Sequence, residues 1–378
     1  MKKIKVVQVN KLYAPYVGGI EKVVQEIAES MCDKEDIDMQ VLVCQSEGKT
    51  AKERYNGVKL IRAGSMGTYF SMPVSFKFFS YMKKLSESAD VMCFHTPFPL
   101  GDLACLLSGY KGKVILWWHS DVIRQKAIMP IYRPIMHKFL KRADCIVVAT
   151  QGHINCSENL KPYEYKCRII PYGINEEEFK NGEVKNKILE KNTVSGGVKV
   201  LFVGRLVYYK GIEVLINAFA KTHGAELFII GQGPLEEVLK EKIKDNNIEN
   251  KVHFLGKLDD NNLKACLRDC DILAFPSIAN SEGFGLVQLE AMVYKKPVIN
   301  TALPTGVPLV SLDGVSGITA EVNDADSFAA ALQKLTDDEE LRKKYGENGY
   351  KRVKEVFEKN DMTERFYELI KEMTVGER

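Results

Sequence analysis

The chain lacks any long apolar run. No window of its 378 residues approaches the roughly 18 uninterrupted apolar positions that a membrane-spanning helix needs. The opening stretch, MKKIKVVQVN, has a basic flank, but its apolar run is too short for a secretion signal and reads as a first strand. Charge of one sign is also missing. The 53 Lys and Arg against 50 Asp and Glu leave a net +3, too little to imply nucleic acid as a partner. There is no C-x-x-C pair, and nine scattered cysteines, an odd count, fit reduced thiols in a cytoplasm better than a disulfide framework. Cys266 and Cys270 could share a helix face, but two partner ligands are not evident, so no metal is expected there. G-x-G-x-x-G is absent too. Gly231-Gln-Gly233-Pro234 carries Glu236 where the third glycine should fall, which removes the main support for a dinucleotide.

What remains is an ordinary globular composition, 45% hydrophobic and 27% charged, in a chain long enough for two domains. Strand and helix patterns alternate twice. In the first half, candidate strands are Ile4–Val9, Met39–Cys44, Val58–Ile61, Val91–His95, Val114–Trp118 and Cys145–Ala149. They are continuous apolar runs, as parallel strands covered on both faces should be. Helices are expected between them, for example over Glu21–Met31 and Arg124–Leu140. The stretch Asn175 to Gly197 is polar, ends in Ser-Gly-Gly and reads as a linker. The alternation then restarts: strand Val198–Val203, helix Ile212–Ala220, strand Leu227–Ile230, helix Leu235–Ile243, and strands Val252–Leu255 and Ile272–Phe275. Asp337 to Met373 is expected to be helical and to pack back across both domains. This is an α/β architecture of two Rossmann-like halves, whose ligands should sit beyond the carboxyl ends of the strands, in a cleft.

Four loops leave those strand ends. Tyr13 to Glu21 carries Gly18 and Gly19, whose backbone amides can approach a ligand at a helix N-terminus; an ordinary strand-to-helix turn is the plainer alternative. Gly204 to Gly211 carries Arg205 and Lys210, a guanidinium fork and a point ammonium that suit a diphosphate, or simply two solvated cations. The strand Leu116–Trp118 ends on His119, able to donate to a sugar oxygen or phosphate, or merely to be hydrogen-bonded. The fourth, Asn280 to Met292, places Glu282 in a Gly-Phe-Gly approach and Glu290 in the helix after it. Eight residues of helix would rise about 12 Å, enough to reach different parts of one extended ligand. The Gly283 and Gly285 amides would face phosphate, and a helical carboxylate would suit a ribose diol.

These residues resemble the retaining nucleotide-sugar glycosyltransferases of the GT-B fold, family 4 (glycosyl transferases group 1), over essentially the whole chain. The likeness rests on the E-x7-E motif from Glu282 to Glu290, on GRLVYYKG at 204–211, GGIE at 18–21, His119, and PYGIN at 171–175. The last departs from the family's PNGID by placing Tyr172 where Asn is usual. The resemblance implies two Rossmann-like doubly wound domains facing across a cleft, an acceptor domain over 1–178 and a donor domain over 196–357, with the helix 358–378 packing back on the first. It also implies a UDP- or GDP-sugar substrate and neither cofactor nor metal. Arg205 and Lys210 would bind the diphosphate, Glu290 the ribose, and Glu282 with Phe284 and Gly285 the donor sugar. Gly233 and Leu286 would join the donor contacts, Gly18 and Gly19 would touch phosphate, and His119 would reach a sugar hydroxyl. Glu282, His119, Arg205 and Lys210 are the catalytic candidates.

The acceptor is read from two other stretches. Arg124 to Arg142 has six basic residues and no acidic one, interleaved with apolar side chains; Tyr69 to Lys84 is aromatic, apolar and basic. Both could be core-packing helices with a basic edge, or could lie on an anionic membrane surface. Together with the resemblance they point to a glycan or polyprenyl-linked acceptor and to a cytoplasmic enzyme, peripheral at the inner membrane face. NTALPTGVP at 300–308 resembles enzymes of bacterial surface-polysaccharide assembly (O-antigen, capsule or exopolysaccharide) and leans towards mannosyl or rhamnosyl transfer. The alternatives are another enzyme of the fold, an epimerase or phosphorylase, and a non-catalytic binding subunit.

Overall fold

The computed structural model describes residues 3–16, 18–69, 72–121, 129–180, 187–194 and 196–375. The chain divides into two compact units, Met1–Tyr172 with Lys359–Arg378, and Gly173–Glu358.

The first unit holds β1 (Ile4–Val9), β2 (Ile37–Cys44), β3 (Ala51–Tyr55), β4 (Val58–Ala63), the short pair β5 (Thr68–Tyr69) and β6 (Met72–Pro73), β7 (Val91–Thr96), β8 (Lys113–Trp118), β9 (Cys145–Val148) and β10 (Cys167–Ile169). Eight of them form one sheet in the order β10-β9-β8-β7-β1-β2-β4-β3, parallel except where β3 returns antiparallel to β4. Buried Val6, Val9, Val41, Val91, Ile115 and Val147 make these central strands apolar on both faces. The charged strand β3 could not occupy such a position and closes the edge instead. Strand order reverses between β1 and β7, so their carboxyl ends open the crevice that such sheets use for ligands.

The second unit holds β11 (Val198–Val203), β12 (Ala225–Ile230), β13 (Val252–Gly256), β14 (Ile272–Ala274), β15 (Val298–Thr301) and β16 (Gly317–Ala320). All are parallel, in the order β13-β12-β11-β14-β15-β16, and the reversal falls between β11 and β14. The helix Ile212–Ala220 has the limits expected from its apolar periodicity, and the helix that carries Glu290 runs over Leu286–Val293.

Three expectations change. The stretch 175–197 is no free linker: Phe179 and Leu189 are buried, and Glu176 accepts from the Tyr350 hydroxyl and pairs with Lys354. Exposed Glu177, Glu178, Glu190, Lys191 and Asn192 lie on two short helices, Glu177–Lys180 and Ile188–Asn192, which conceals the buried pair from a composition count. The C-terminal stretch is two helices, Glu339–Val356 and Lys359–Thr374, broken where buried Phe357 turns inward and edge-stacks on Phe284. Only the second belongs to the first unit. The helix expected over Arg124–Leu140 is seen as Met129–Arg142; residues 124–128 of the expected range lie outside the described residues, as do Phe70 and Ser71 of the other basic stretch.

Among the described residues each basic stretch contributes a core-packing helix with an exposed edge, Met129–Arg142 and Phe76–Ser86. Tyr132, Met136, Phe139 and Leu140 are buried on one, and Phe78, Met82 and Leu85 on the helix Phe76–Ser86. Phe76 and Ile131 stay largely exposed beside Lys77, Lys83, Lys84, Arg133 and Lys138. Among the described residues no helix is long and apolar enough to cross a membrane.

Candidate active site

In the second unit the loops after β11, β12 and β14 are sewn together by backbone contacts that only glycine permits. A Cβ on Gly231, at φ +135°, would stand 1.9 Å from the Gly204 carbonyl oxygen, and one on Gly211, at φ +65°, 1.9 Å from that of Pro276. Gly233 lies so close to Leu206 that a Cβ would meet its oxygen at 2.3 Å, which gives this glycine a packing reason of its own. The Ile278 amide donates to the Tyr209 carbonyl at 2.8 Å and ties the β14 loop to the β11 loop.

This stitching delivers Lys210 to Glu282. The ammonium lies 2.5 Å from Glu282 Oε2, with both side chains mostly buried. Ser277 Oγ donates to the same oxygen at 3.3 Å, and Lys210 Nζ sits 5.1 Å from the centre of the Phe275 ring. Phe275 also covers Gly285, which has φ +80° and caps the helix Leu286–Val293; a Cβ there would meet the ring at 2.3 Å. Sequence spacing joined the two glutamates; the structure adds the pairing of Glu282 with Lys210, 72 residues away, which spacing could not reveal. Arg205 is exposed.

Glu290 is half-buried in the helix. The expected reach changes, because the helix starts at Leu286: from there to Glu290 the helical rise is about 6 Å, and Glu282 is carried by loop. Gln288 was missed. It is fully buried, donates through Nε2 to the Phe284 and Val307 carbonyls, and accepts from Asn300, so it anchors the start of the helix. A lone glutamine at a helix position otherwise facing the core was the available signal.

In the first unit Gly18 precedes the helix Gly19–Cys32 in extended conformation. A Cβ there would stand 2.2 Å from Glu21 Oε2, so the Glu21 carboxylate folds back over the position expected for phosphate. Burial raises its pKa, against the pull of its own backbone amide and of Lys11. Arg62, missed from sequence, is buried on β4, pairs with Glu53 at 2.7 Å, and donates to the Tyr13 and Ala14 carbonyls of this loop.

His119 lies deeper than expected. Its Nε2 is 2.9 Å from His95 Nδ1, and its Nδ1 is 2.5 Å from the Tyr172 hydroxyl. His95 Nε2 is in turn 2.8 Å from Gln8 Oε1. Burial pushes the His95 pKa down to about 3 and that of His119 well below the ordinary value, with His95 and His153 adding to the latter. A histidine read as reaching for a sugar hydroxyl has both ring nitrogens engaged within its own unit.

The two halves match two family models, glycosyl transferases group 1 over residues 184–352 and glycosyltransferase family 4 over 17–178. The chain is 31% identical over 341 residues to the D-rhamnosyltransferase WbpZ of Pseudomonas aeruginosa, covering 90% of this chain and 88% of that one. It is 29% identical over 367 residues to the O-antigen chain mannosyltransferase C of Escherichia coli, covering 97% and 98%. Among solved structures, sucrose-phosphate synthase from Thermosynechococcus elongatus superposes with a TM-score of 0.79 at 20% identity, covering 98% of this chain and 99% of that one. Anabaena Alr3699/HepE in complex with UDP gives 0.78 at 16%, covering 98% and 100%. At these identities the structural likeness speaks for the fold alone.

Proposed function

Because this chain belongs to the glycosyl transferases group 1, we propose that it is a retaining hexosyltransferase that moves a sugar from a UDP- or GDP-sugar to a lipid-linked glycan in the assembly of a bacterial surface polysaccharide. The Lys210–Glu282 pair carries this reading. When a glycosyl phosphate bond breaks, positive charge grows on the sugar carbon and negative charge on the leaving diphosphate. An ammonium and a carboxylate held side by side match that separation, the ammonium at the leaving group and the carboxylate at the sugar. Lysine has three donors, so Lys210 can keep Glu282 and still reach phosphate oxygens. Arg205, exposed at the same strand end, would add a bidentate fork for the diphosphate. Glu290 would hold the ribose diol, and the leaving phosphate would take the acceptor's proton.

The names of the relatives, a D-rhamnosyltransferase and an O-antigen chain mannosyltransferase, favour a 6-deoxyhexose or mannose as the transferred sugar. A third relative, from Campylobacter jejuni, is named for transfer to a diphospho-undecaprenol acceptor and supports a lipid carrier. Exposed Phe76 and Ile131 among lysines and an arginine would then meet an anionic membrane surface. The test is incubation with GDP-mannose, GDP-rhamnose and UDP-hexoses and a polyprenyl-diphosphate glycan, with product anomers read by proton NMR. Transfer with the donor's anomeric configuration preserved is expected. Inversion, or nucleotide binding without transfer to any acceptor of this class, would overturn it.

A further inference from the structure

Gln8, His95, His119 and Tyr172 come from β1, β7, the end of β8 and the segment after β10, yet their polar atoms form one unbroken line. Alternation explains the meeting. Trp117 and His119 are two residues apart and share a face, His95 is the register partner of Trp117 on β7, and Gln8 lies one strand further on. All four are buried, and the rings stack, His95 on His119 at 5.2 Å and His119 on Tyr172 at 5.6 Å.

The line has a direction. With Gln8 turned so that Oε1 faces His95, its own Nε2 buried without a partner, the ring nitrogen His95 Nε2 is the donor and Nδ1 is left bare. His119 must then donate from Nε2, which leaves its own Nδ1 as an acceptor for the Tyr172 hydroxyl. At the far end the Trp117 indole N–H lies towards the Tyr172 oxygen, too loosely for a full hydrogen bond, and its dipole opposes the larger upward effect of burial on the phenol. That N–H can only donate, so the Tyr172 hydrogen is turned away from it, in keeping with donation to His119 Nδ1.

We propose that Tyr172 is a positioning residue for His119: its hydroxyl, donating to Nδ1, fixes His119 as the neutral Nε2–H tautomer, so that this ring works in transfer as a rigid uncharged support and not as an acid or base. Donation to the lone pair of a neutral imidazole stabilises the neutral form, so removing the hydroxyl raises the pH at which His119 takes up a proton. Among the described residues the groups facing His119 are His95 from β7, His153 from the helix Gln151–Cys156 and Tyr172, and no carboxylate is among the charges acting on it.

The proposal rests on the reading of the chain as a glycosyltransferase only for its kinetic arm. In wild-type protein labelled with 15N-histidine, His119 is expected to stay neutral from pH 5 to 8 with its proton on Nε2. A proton on Nδ1 would overturn the proposal without any variant. In Tyr172→Phe, which keeps the ring and its stacking, His119 should show mixed tautomers and titrate at higher pH. Transfer should then gain a new acid limb, with kcat at neutral pH lowered about tenfold, the equivalent of one neutral hydrogen bond, and donor KM little changed. A merely structural role would lower activity without a new ionisation. Unchanged ring signals and a superimposable pH profile would sink the idea, whereas failure of every nucleotide sugar to react would count against the function and leave the NMR result standing.

Discussion

The strand ends of the two units solve opposite problems. In the second unit a cation and a carboxylate, Lys210 and Glu282, are drawn together from loops 72 residues apart and left at the rim of the sheet. In the first unit the polar groups close on one another, and His119 is held neutral between His95 and Tyr172. Charge that must respond to a developing transition state has to be preorganised yet within reach of the substrate. A neutral array has no such need and can be buried whole. The glycines follow the same division. Gly211, Gly231 and Gly285 are backbone necessities at positive φ, while Gly18 is extended and opposed only by the flexible end of Glu21.

Predictions can break that comparison from either side. The largest effect is expected from Glu282→Gln, with kcat falling on the order of 100-fold and little change in donor KM, because in the proposed role the carboxylate acts on charge present only in the transition state. Glu290→Gln should do the reverse, raising donor KM more than it lowers kcat. Near-normal kcat in the first and none in the second would exchange the two roles. Next in size, Gly211→Ala should cost about 2–4 kcal/mol in urea unfolding, from a left-handed backbone and a carbonyl in the way of the new Cβ. Gly18→Ala should stay within about 0.5 kcal/mol, and equal losses would erase the distinction.

A smaller effect concerns His95. A histidine with a depressed folded pKa gives stability that is whole above the ordinary value near 6.5 and is lost as pH falls towards its folded value of about 3. His95→Gln should therefore spare the protein about 2 kcal/mol of its loss between pH 7.5 and 5, read from urea midpoints. Saturating EDTA should have the smallest effect and leave transfer largely intact, since on the proposed reading cationic side chains and helix dipoles would do the work of an ion; an absolute need for magnesium or manganese would count against the arrangement.

Much of this was legible from sequence because parallel strands buried on both faces write themselves as continuous apolar runs, and the turns between them as glycine. The helix Ile212–Ala220 and the E-x7-E loop were visible that way. Spatial pairing was not. Nothing local tells that Lys210 meets Glu282, that Arg62 grips the Tyr13 and Ala14 carbonyls, or that His119 bonds a residue 53 positions on. Strand order and the close approach of the loops that leave the strands make those contacts, and a single sequence displays neither. Leu189 and Phe179 were lost for a different reason: two buried side chains cannot outweigh the polar residues around them in a composition average.

Calorimetric titration of UDP and GDP in EDTA, on the wild type and on Arg205→Ala, Lys210→Ala and His119→Ala, tests most directly that the donor's charge is met by the second unit. One nucleotide should bind the wild type and weaken by about 1.5–3 kcal/mol, roughly 10- to 100-fold, in each of the first two variants, the worth of a charge-assisted hydrogen bond, while His119→Ala binds as the wild type does. Binding of neither nucleotide, or binding lost with His119 and untouched by Arg205 and Lys210, would contradict the account.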